Sequence, residues 1–416
     1  MKPPSHRYLV TGLCMQGNKG GPALALALTD AIRQEIPDAQ FVFAVRAAGE
    51  EWDRELAWAR RYGFALCRTA SPSCLIPPSC LRADRRQRWA EWWAVLRSCD
   101  ALIQMSAICY VGPPAGTGSW RAMLRSPRVF DFASAQLARL PMRAWTQSYG
   151  PLTTTPVRFF AKRDLSRQPI VFCRGSDCAA AVRQLLPRAK ALDFPDVAVT
   201  LRFDQAWGAN YVGRTVPLRG PFATLSPSAV LFARAATPGT ANRHVQQCRA
   251  ACSHLLDRGY SVLLVPHTLR PAQPEPSRCD LAVAELVCAA TADPRVAVLR
   301  EDLSPVELKG VIANAVFHIG ARYHSVVAAL SAAVPALALS WHPKYRDLLR
   351  PYGMEDFLLG EDAPQDLDRL IDQLCAEAAD LRPILAERQG LMVEKVRENA
   401  RLFCTLLPGQ GGGTRP

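Results

Sequence analysis

Short apolar runs of strand length alternate with longer segments of helical periodicity along almost the whole chain. In the first half, 7–12 (RYLVTG), 40–45 (QFVFAV), 100–105 (DALIQM), 143–148 (RAWTQS) and 169–173 (PIVFC) read as strands. Apolar residues at helical spacing predict helices near 21–35, 50–62, 84–98, 128–139, 155–164 and 176–187. The second half restarts the pattern. Strands are expected near 229–234 (AVLFAR), 260–265, 295–299, 316–319 and 335–340, with helices near 240–258, 279–290, 304–314, 325–333 and 343–351. Ser304-Pro305-Val306-Glu307 has the form of a capping box with proline at the first helical position, which marks a helix start. An amphipathic stretch at 364–404 follows, and the terminal GQGGGTRP reads as flexible. Residues 66–82, with several prolines and cysteines, read as a loop.

Such alternation points to an α/β chain with mainly parallel sheets. Residues 204–227 carry Gly, Pro, Trp and Asn without clear periodicity, as a linker would. The expected organisation is a Rossmann-like domain over 1–205, a linker over 206–227, a second Rossmann-like domain over 228–360, and a helical segment with a flexible tail over 361–416. Two doubly wound domains facing a cleft form a GT-B-like architecture, whose ligands bind at the carboxyl ends of strands.

Composition narrows this picture little. With 49% hydrophobic and 21% charged residues the 416-residue chain is globular, and no apolar run reaches membrane-spanning length. The sequence MKPPSHRYLVTG leads directly into a strand, without the apolar core of a signal peptide, so a cytoplasmic location is expected. A formal charge of +13, carried mostly by arginine, suits acidic partners, yet no nucleic-acid module is recognisable and none is expected as a partner. The basic run 82–88 reads as a solvated helix face. Because Trp89, Trp92 and Trp93 follow it, a weak association with the inner membrane surface stays open. Fourteen scattered cysteines show no zinc spacing and read mostly as small buried hydrophobes; no metal is expected.

Chemistry concentrates in 316–349, VFHIGARYHSVVAALSAAVPALALSWHPKYRDLL. A strand ends in a turn at Gly320, and a loop carrying Arg322 and His324 leads into an alanine-rich helix. A second strand and a loop with His342 and Lys344 follow. A strand feeding a polar turn at a helix N-terminus is an anion site, because unpaired N–H groups point at the ligand. One fixed cation and one titratable imidazole there suit a phosphorylated or carboxylated substrate. Other strand ends deliver Arg174 (FCRGSDCAA, 172–180) and His267 with Arg270 (VPHTLRP, 265–271). His318 lies within a strand and reads as structural. The first turn, TGLCMQGNKGG, is neither a dinucleotide fingerprint nor a Walker loop.

The order Ile319, Gly320, Arg322, His324, Val334-Pro335, an apolar strand and Lys344 resembles the C-terminal signature of the polysaccharide pyruvyl transferase family. Gly17, Asn18 and Gly20 resemble that family's G-x-N-x-G-D turn, with Gly21 in place of its acidic residue. Asp100 and its strand keep their place, but Met105-Ser106 replaces a Gly-Gly step. QSYGPL (147–152) and DFPDVAVTL (193–201, with Asp196) also match in order, so the resemblance covers roughly 8–355. It implies transfer of the pyruvyl group of phosphoenolpyruvate onto a saccharide, free or lipid-linked, as a ketal, in exopolysaccharide or cell-envelope synthesis. No cofactor beyond this donor substrate is implied. His324, Arg322 and His267 would carry the catalysis. Arg174, Lys344, Arg270, Asn18, Gly20 and Gly320 would bind substrate, with the acceptor on the N-terminal and the anionic donor on the C-terminal domain. Two other readings stand beside this one: a GT-B glycosyltransferase using a nucleotide sugar, and a non-catalytic relative that binds an anionic glycan or phosphometabolite.

Overall fold

The structure, a computed structural model, describes residues 6–69, 83–110, 120–124, 126–216, 218, 220–235, 237–340, 342–360 and 366–408. The chain divides into two units. The first comprises 1–16, 24–197 and 395–416, and the second 17–23 and 198–394.

Strands of the first unit are β1 (Arg7–Thr11), β2 (Gln40–Val45), β3 (Ala65–Arg68), β4 (Ala101–Gln104), β5 (Ile108–Cys109), β6 (Met142–Ala144), β7 (Ser148–Tyr149), β8 (Val171–Arg174) and β9 (Ala191–Phe194). Five form a parallel sheet in the order β3-β2-β1-β4-β6, and β5-β7 and β8-β9 form parallel pairs. Leu9, Val42 and Leu102 pack with Trp92 and Phe130 into one core, so the central strands are apolar on both faces, as covered parallel strands must be. The helix Glu50–Tyr62 begins and ends where its apolar spacing places it. In the helix Ala83–Ser98, Trp92 is 1% exposed and stacks obliquely on Phe130, while Trp89 and Trp93 pack against the same core. Trp89 and Trp93 remain partly exposed. Residues 70–82 of the expected 66–82 loop lie outside the described residues, and 65–68 is strand. Cys173 and Cys178 are buried.

The second unit contains β10 (Phe222–Ser226), β11 (Ser261–Leu264), β12 (Val296–Val298), β13 (His318–Gly320), β14 (Ala336–Ser340) and β15 (Leu358–Gly360). All six pair in parallel, in the order β12-β11-β10-β13-β14-β15. The capping box forms: the Glu307 N–H donates to Ser304 Oγ at 3.2 Å, and the Ser304 N–H to Glu307 Oε2 at 2.7 Å. Among the described residues, no helix is long and apolar enough to cross a membrane.

Two expectations are corrected here. The stretch 206–227 is not a linker: it holds the helix Gln205–Thr215, capped by Asp204, and then β10 at the centre of the sheet. Its glycine serves packing rather than flexibility. A Cβ on Gly208 would lie 2.1 Å from the Gly310 carbonyl oxygen, so the helices Gln205–Thr215 and Pro305–Ile312 touch backbone to backbone. Residues 229–234 form a helix rather than a strand, because a run this short has no decisive period and its first turn is held from outside. There the Ser228 N–H donates to His244 Nε2 and the Ala229 N–H to Asp280 Oδ1. The amphipathic stretch expected at 364–404 is helical. The helix Leu367–Cys404 ends within the first unit, where Phe403 meets Trp145 edge-on at 4.7 Å. Residues 361–365 and the tail 409–416 lie outside the described residues.

Replacing Gly208 with Ala should force the two helices apart and cost about 1–3 kcal/mol. A thermal or urea unfolding transition unchanged by Gly208→Ala would show that this close approach does not carry stability.

Candidate active site

In the second sheet the strands run outward from β10 in one direction (β10, β11, β12) and from β13 in the other (β13, β14, β15). The order therefore reverses between β10 and β13, where Ser226 and Gly320 lie opposite one another. Outside the carboxyl ends of such a reversal an open parallel sheet leaves a crevice for ligand. His267 arrives there just past β11, and Arg322 and His324 just past β13.

Three histidines crowd this end, in different states. His318 is fully buried, with Nδ1 2.9 Å from Thr224 Oγ1 and Nε2 2.9 Å from Ser325 Oγ. The Ser325 hydroxyl donates to the Arg322 carbonyl, so this histidine holds the loop from below, as its strand position implies. Burial pushes its pKa down to about 3. His267 is buried too, and burial lowers it to about 4, opposed in part by the Val265 carbonyl. Its Nδ1 lies 3.3 Å from both that carbonyl oxygen and Ser226 Oγ. A carbonyl only accepts, so Nδ1 carries the proton and Nε2 the lone pair. At neutral pH the His267 ring is uncharged.

His324 opens the helix Tyr323–Leu330 and is half-buried. Its ring stands against Gly20, where a Cβ would come within 2.2 Å of Nδ1. The segment 17–20 is built into this unit: Asn18 bridges Thr268, the Lys19 N–H donates to the His267 carbonyl at 2.9 Å, and Asn18 Oδ1 accepts from Gly20 N–H at 3.0 Å. Asn18 and Gly20 therefore shape the floor at His324. Gly320 is needed for a similar reason, since a Cβ there would meet His318 Nε2 at 2.7 Å and Ser325 Oγ at 2.8 Å.

The arginines differ from expectation. Arg322 directs its fork at Asp280: Nε donates to Oδ2 at 2.8 Å and Nη2 to Oδ1. Asp280 is wholly buried. Burial opposes the charge of Arg322, but the adjacent carboxylate outweighs it and raises the pKa. The bidentate geometry expected for an oxyanion is thus spent on an internal partner. Arg174 belongs to the first unit and behaves alike, with Nη1 3.0 Å from Asp196 Oδ2, both side chains buried. Arg270 is exposed beside the 17–18 turn and reaches Gln273 Oε1 at 3.4 Å. Lys344 places Nζ over the rings of Tyr323 and Tyr345, 5.1 and 5.6 Å from their centroids.

Three residues of this site escape sequence reasoning. Lys19 is 2% exposed and pairs with Asp302; only its place between Asn18 and Gly20 could have drawn notice. Lys309 is 1% exposed, donates to the Leu201 carbonyl at 2.7 Å, and is lowered by burial to about 7. Lys19, His267, Lys309 and His324 border one cavity of about 20 Å³, roughly the room of a single water. Asp280 has no sequence signal beyond opening a helix.

The first unit has its own reversal, between β1 and β4. A cavity of about 510 Å³ opens there, lined by Gly12, Arg46, Gln104, Ser106, Tyr110 and Asp131 among others. Met105-Ser106 fits because Gly12 has φ +93 and no side chain: a Cβ would lie 2.2 Å from the Met105 carbonyl.

Solved structures share this architecture. Anabaena HepE in complex with UDP and glucose matches with a TM-score of 0.58 at 12% identity, over 96% of this chain and 98% of that one. S. aureus MnaA with UDP matches at 0.56 and 12%, over 99% and 100%. A glycosyltransferase from Rickettsia africae matches at 0.55 and 11%, over 98% and 100%. Likeness at such identity is one of fold, and with the two parallel-sheet units it makes this a GT-B-like protein. The sequence model described as polysaccharide pyruvyl transferase matches residues 18–343. The chain belongs to that family and is a transferase. Comparison with curated proteins gives no match.

Stability should depend on pH through the neutral histidines. His244 and His267 at about 4 and His318 at about 3 bind protons less readily folded than unfolded, so their contribution holds above about 6.5 and is lost as pH falls toward 4. Glu55, raised by burial to about 7, acts oppositely over that window, but it is one group against three. The urea midpoint should fall between pH 7 and pH 5; an unchanged or higher midpoint would contradict these assignments.

Proposed function

We propose that this protein transfers the pyruvyl group of phosphoenolpyruvate onto two hydroxyls of a saccharide as a cyclic ketal, in making a bacterial exopolysaccharide or cell-envelope glycan. The observation that carries this reading is the meeting of His324 and lone-pair-bearing His267 at the β10/β13 end, beside an arginine kept charged by Asp280.

The chemistry needs an acid, a base and cations. His324 donates a proton to the enol methylene, which leaves an oxocarbenium-like carbon. A sugar hydroxyl adds to that carbon and gives up its proton to His267 Nε2. The carbon–oxygen bond to phosphate breaks, inorganic phosphate departs, and a second hydroxyl closes the ketal. The two protons released balance the one consumed at the methylene and the one taken up by phosphate. The cations Arg322, Lys344 and Arg270 favour the donor's carboxylate at this end of the sheet. A buried Arg174–Asp196 pair acts in the first unit as a positioning element. The cavity of that unit, polar at Gln104, Ser106 and Asp131, suits a hydroxylated acceptor, free or lipid-linked. The protein works without a metal or redox cofactor, in the cytoplasm or at the inner face of the membrane.

The competing reading is transfer from a nucleotide sugar, since HepE was solved with UDP and glucose. Such a site wants a carboxylate for the ribose. Asp347, the one acid of 316–349, is buried and 3.8 Å from Arg350.

His324→Ala should cut phosphoenolpyruvate-dependent transfer to a saccharide pool by about 100-fold or more, read as phosphate release, at an unchanged melting temperature. Full activity in that variant would remove His324 from the acid role. Turnover of UDP-sugars in place of phosphoenolpyruvate would establish the other reading.

A further inference from the structure

The cavity beside His324 holds about one water, too little for a three-carbon phosphate. A second cavity, of about 160 Å³, opens at the carboxyl ends of β14 and β15, lined by residues including Ser340, Leu339 and Leu359. At about eight times that volume it has room for one small organic anion. Leu231, Leu339 and Leu359 give it an apolar floor, and all three are buried. Arg234 and Arg243 stand exposed at its rim, and none of its described lining residues is acidic. Arg243 and His244 also open the helix Arg243–Asp257, which turns its positive end toward the cavity.

This cavity is joined to the site by one peptide step. His244 in its wall accepts from the Ser228 N–H at 2.9 Å, while the next N–H, that of Ala229, donates to Asp280 Oδ1 at 2.8 Å. Asp280 in turn holds Arg322. We propose that this cavity seats the phosphoryl group of a small organic phosphate, with Arg234 and Arg243 as its ligands and the apolar floor under its carbon part. That the molecule is the donor rests on the pyruvyl-transfer reading; the seat itself does not.

The test is calorimetric titration of the full-length protein with inorganic phosphate and with phosphoenolpyruvate, in wild type, Arg234→Ala/Arg243→Ala, Leu339→Trp and His324→Ala. The circular dichroism spectrum and melting temperature of each variant are recorded alongside, so that a loss of binding is read only in folded protein. The double variant should bind both ligands roughly tenfold or more weakly, as loss of charge-assisted bonds requires, and His324→Ala should bind inorganic phosphate as wild type does. Leu339→Trp, which fills the floor, should weaken phosphoenolpyruvate more than inorganic phosphate. Phosphate binding indifferent to the two arginines, lost only in His324→Ala, or absent from wild type would overturn the seat. An arginine-dependent phosphate site in a protein that consumes no phosphoenolpyruvate would keep the seat and refute the donor assignment.

Discussion

The second unit is organised around one buried carboxylate. Asp280 has no exposed surface, yet it accepts from Arg322 through both oxygens and from the backbone of Ala229. Removing a carboxylate from water is expensive, and only a full set of donors offsets the cost. The three elements that supply or carry them, the helices Asp280–Thr291 and Ala229–Arg234 and the loop after β13, are therefore locked in register. The loop so fixed is the one that presents His324. Arg322 acts here as a strut.

Around that pair the electrostatics separate the histidines by environment rather than by residue type. His318 and His244 are buried and engaged on their ring nitrogens, which makes them structural members. His267 is equally buried, but its Nδ1 is committed to a carbonyl, which leaves Nε2 as the lone-pair nitrogen. His324 is only half-buried and lies against a glycine that yields room for its ring. Among the cations, Lys19, Arg174 and Arg322 are largely withdrawn from solvent, while Arg270, Arg234 and Arg243 are exposed.

Much of the fold was legible because strand runs and helical periods are long and consistent, as at 40–45, 50–62 and 335–340. The capping box at Ser304 and the likeness of 316–349 to a family signature also read correctly. The misreadings have physical causes. Gly208 looks like a linker residue in sequence, but its missing Cβ is what lets two helices touch. AVLFAR carries no period long enough to separate helix from strand, and a contact from Asp280, some fifty residues later in the chain, decides the matter. The internal partners of Arg322 and Arg174, Asp280 and Asp196, went unseen because they are distant in sequence and unremarkable there. Lys309 was invisible for a related reason: only the tertiary structure removes it from water.

The account stands or falls on phosphoenolpyruvate reaching the Arg322 end of the second unit. The most direct measurement is calorimetric competition between phosphoenolpyruvate and UDP, in wild type and in Arg322→Lys, which keeps a charge but loses the fork that Asp280 holds. Phosphoenolpyruvate should bind, UDP should not displace it, and Arg322→Lys should weaken it by about tenfold. UDP binding that excludes phosphoenolpyruvate, or phosphoenolpyruvate binding indifferent to Arg322, would contradict this reading.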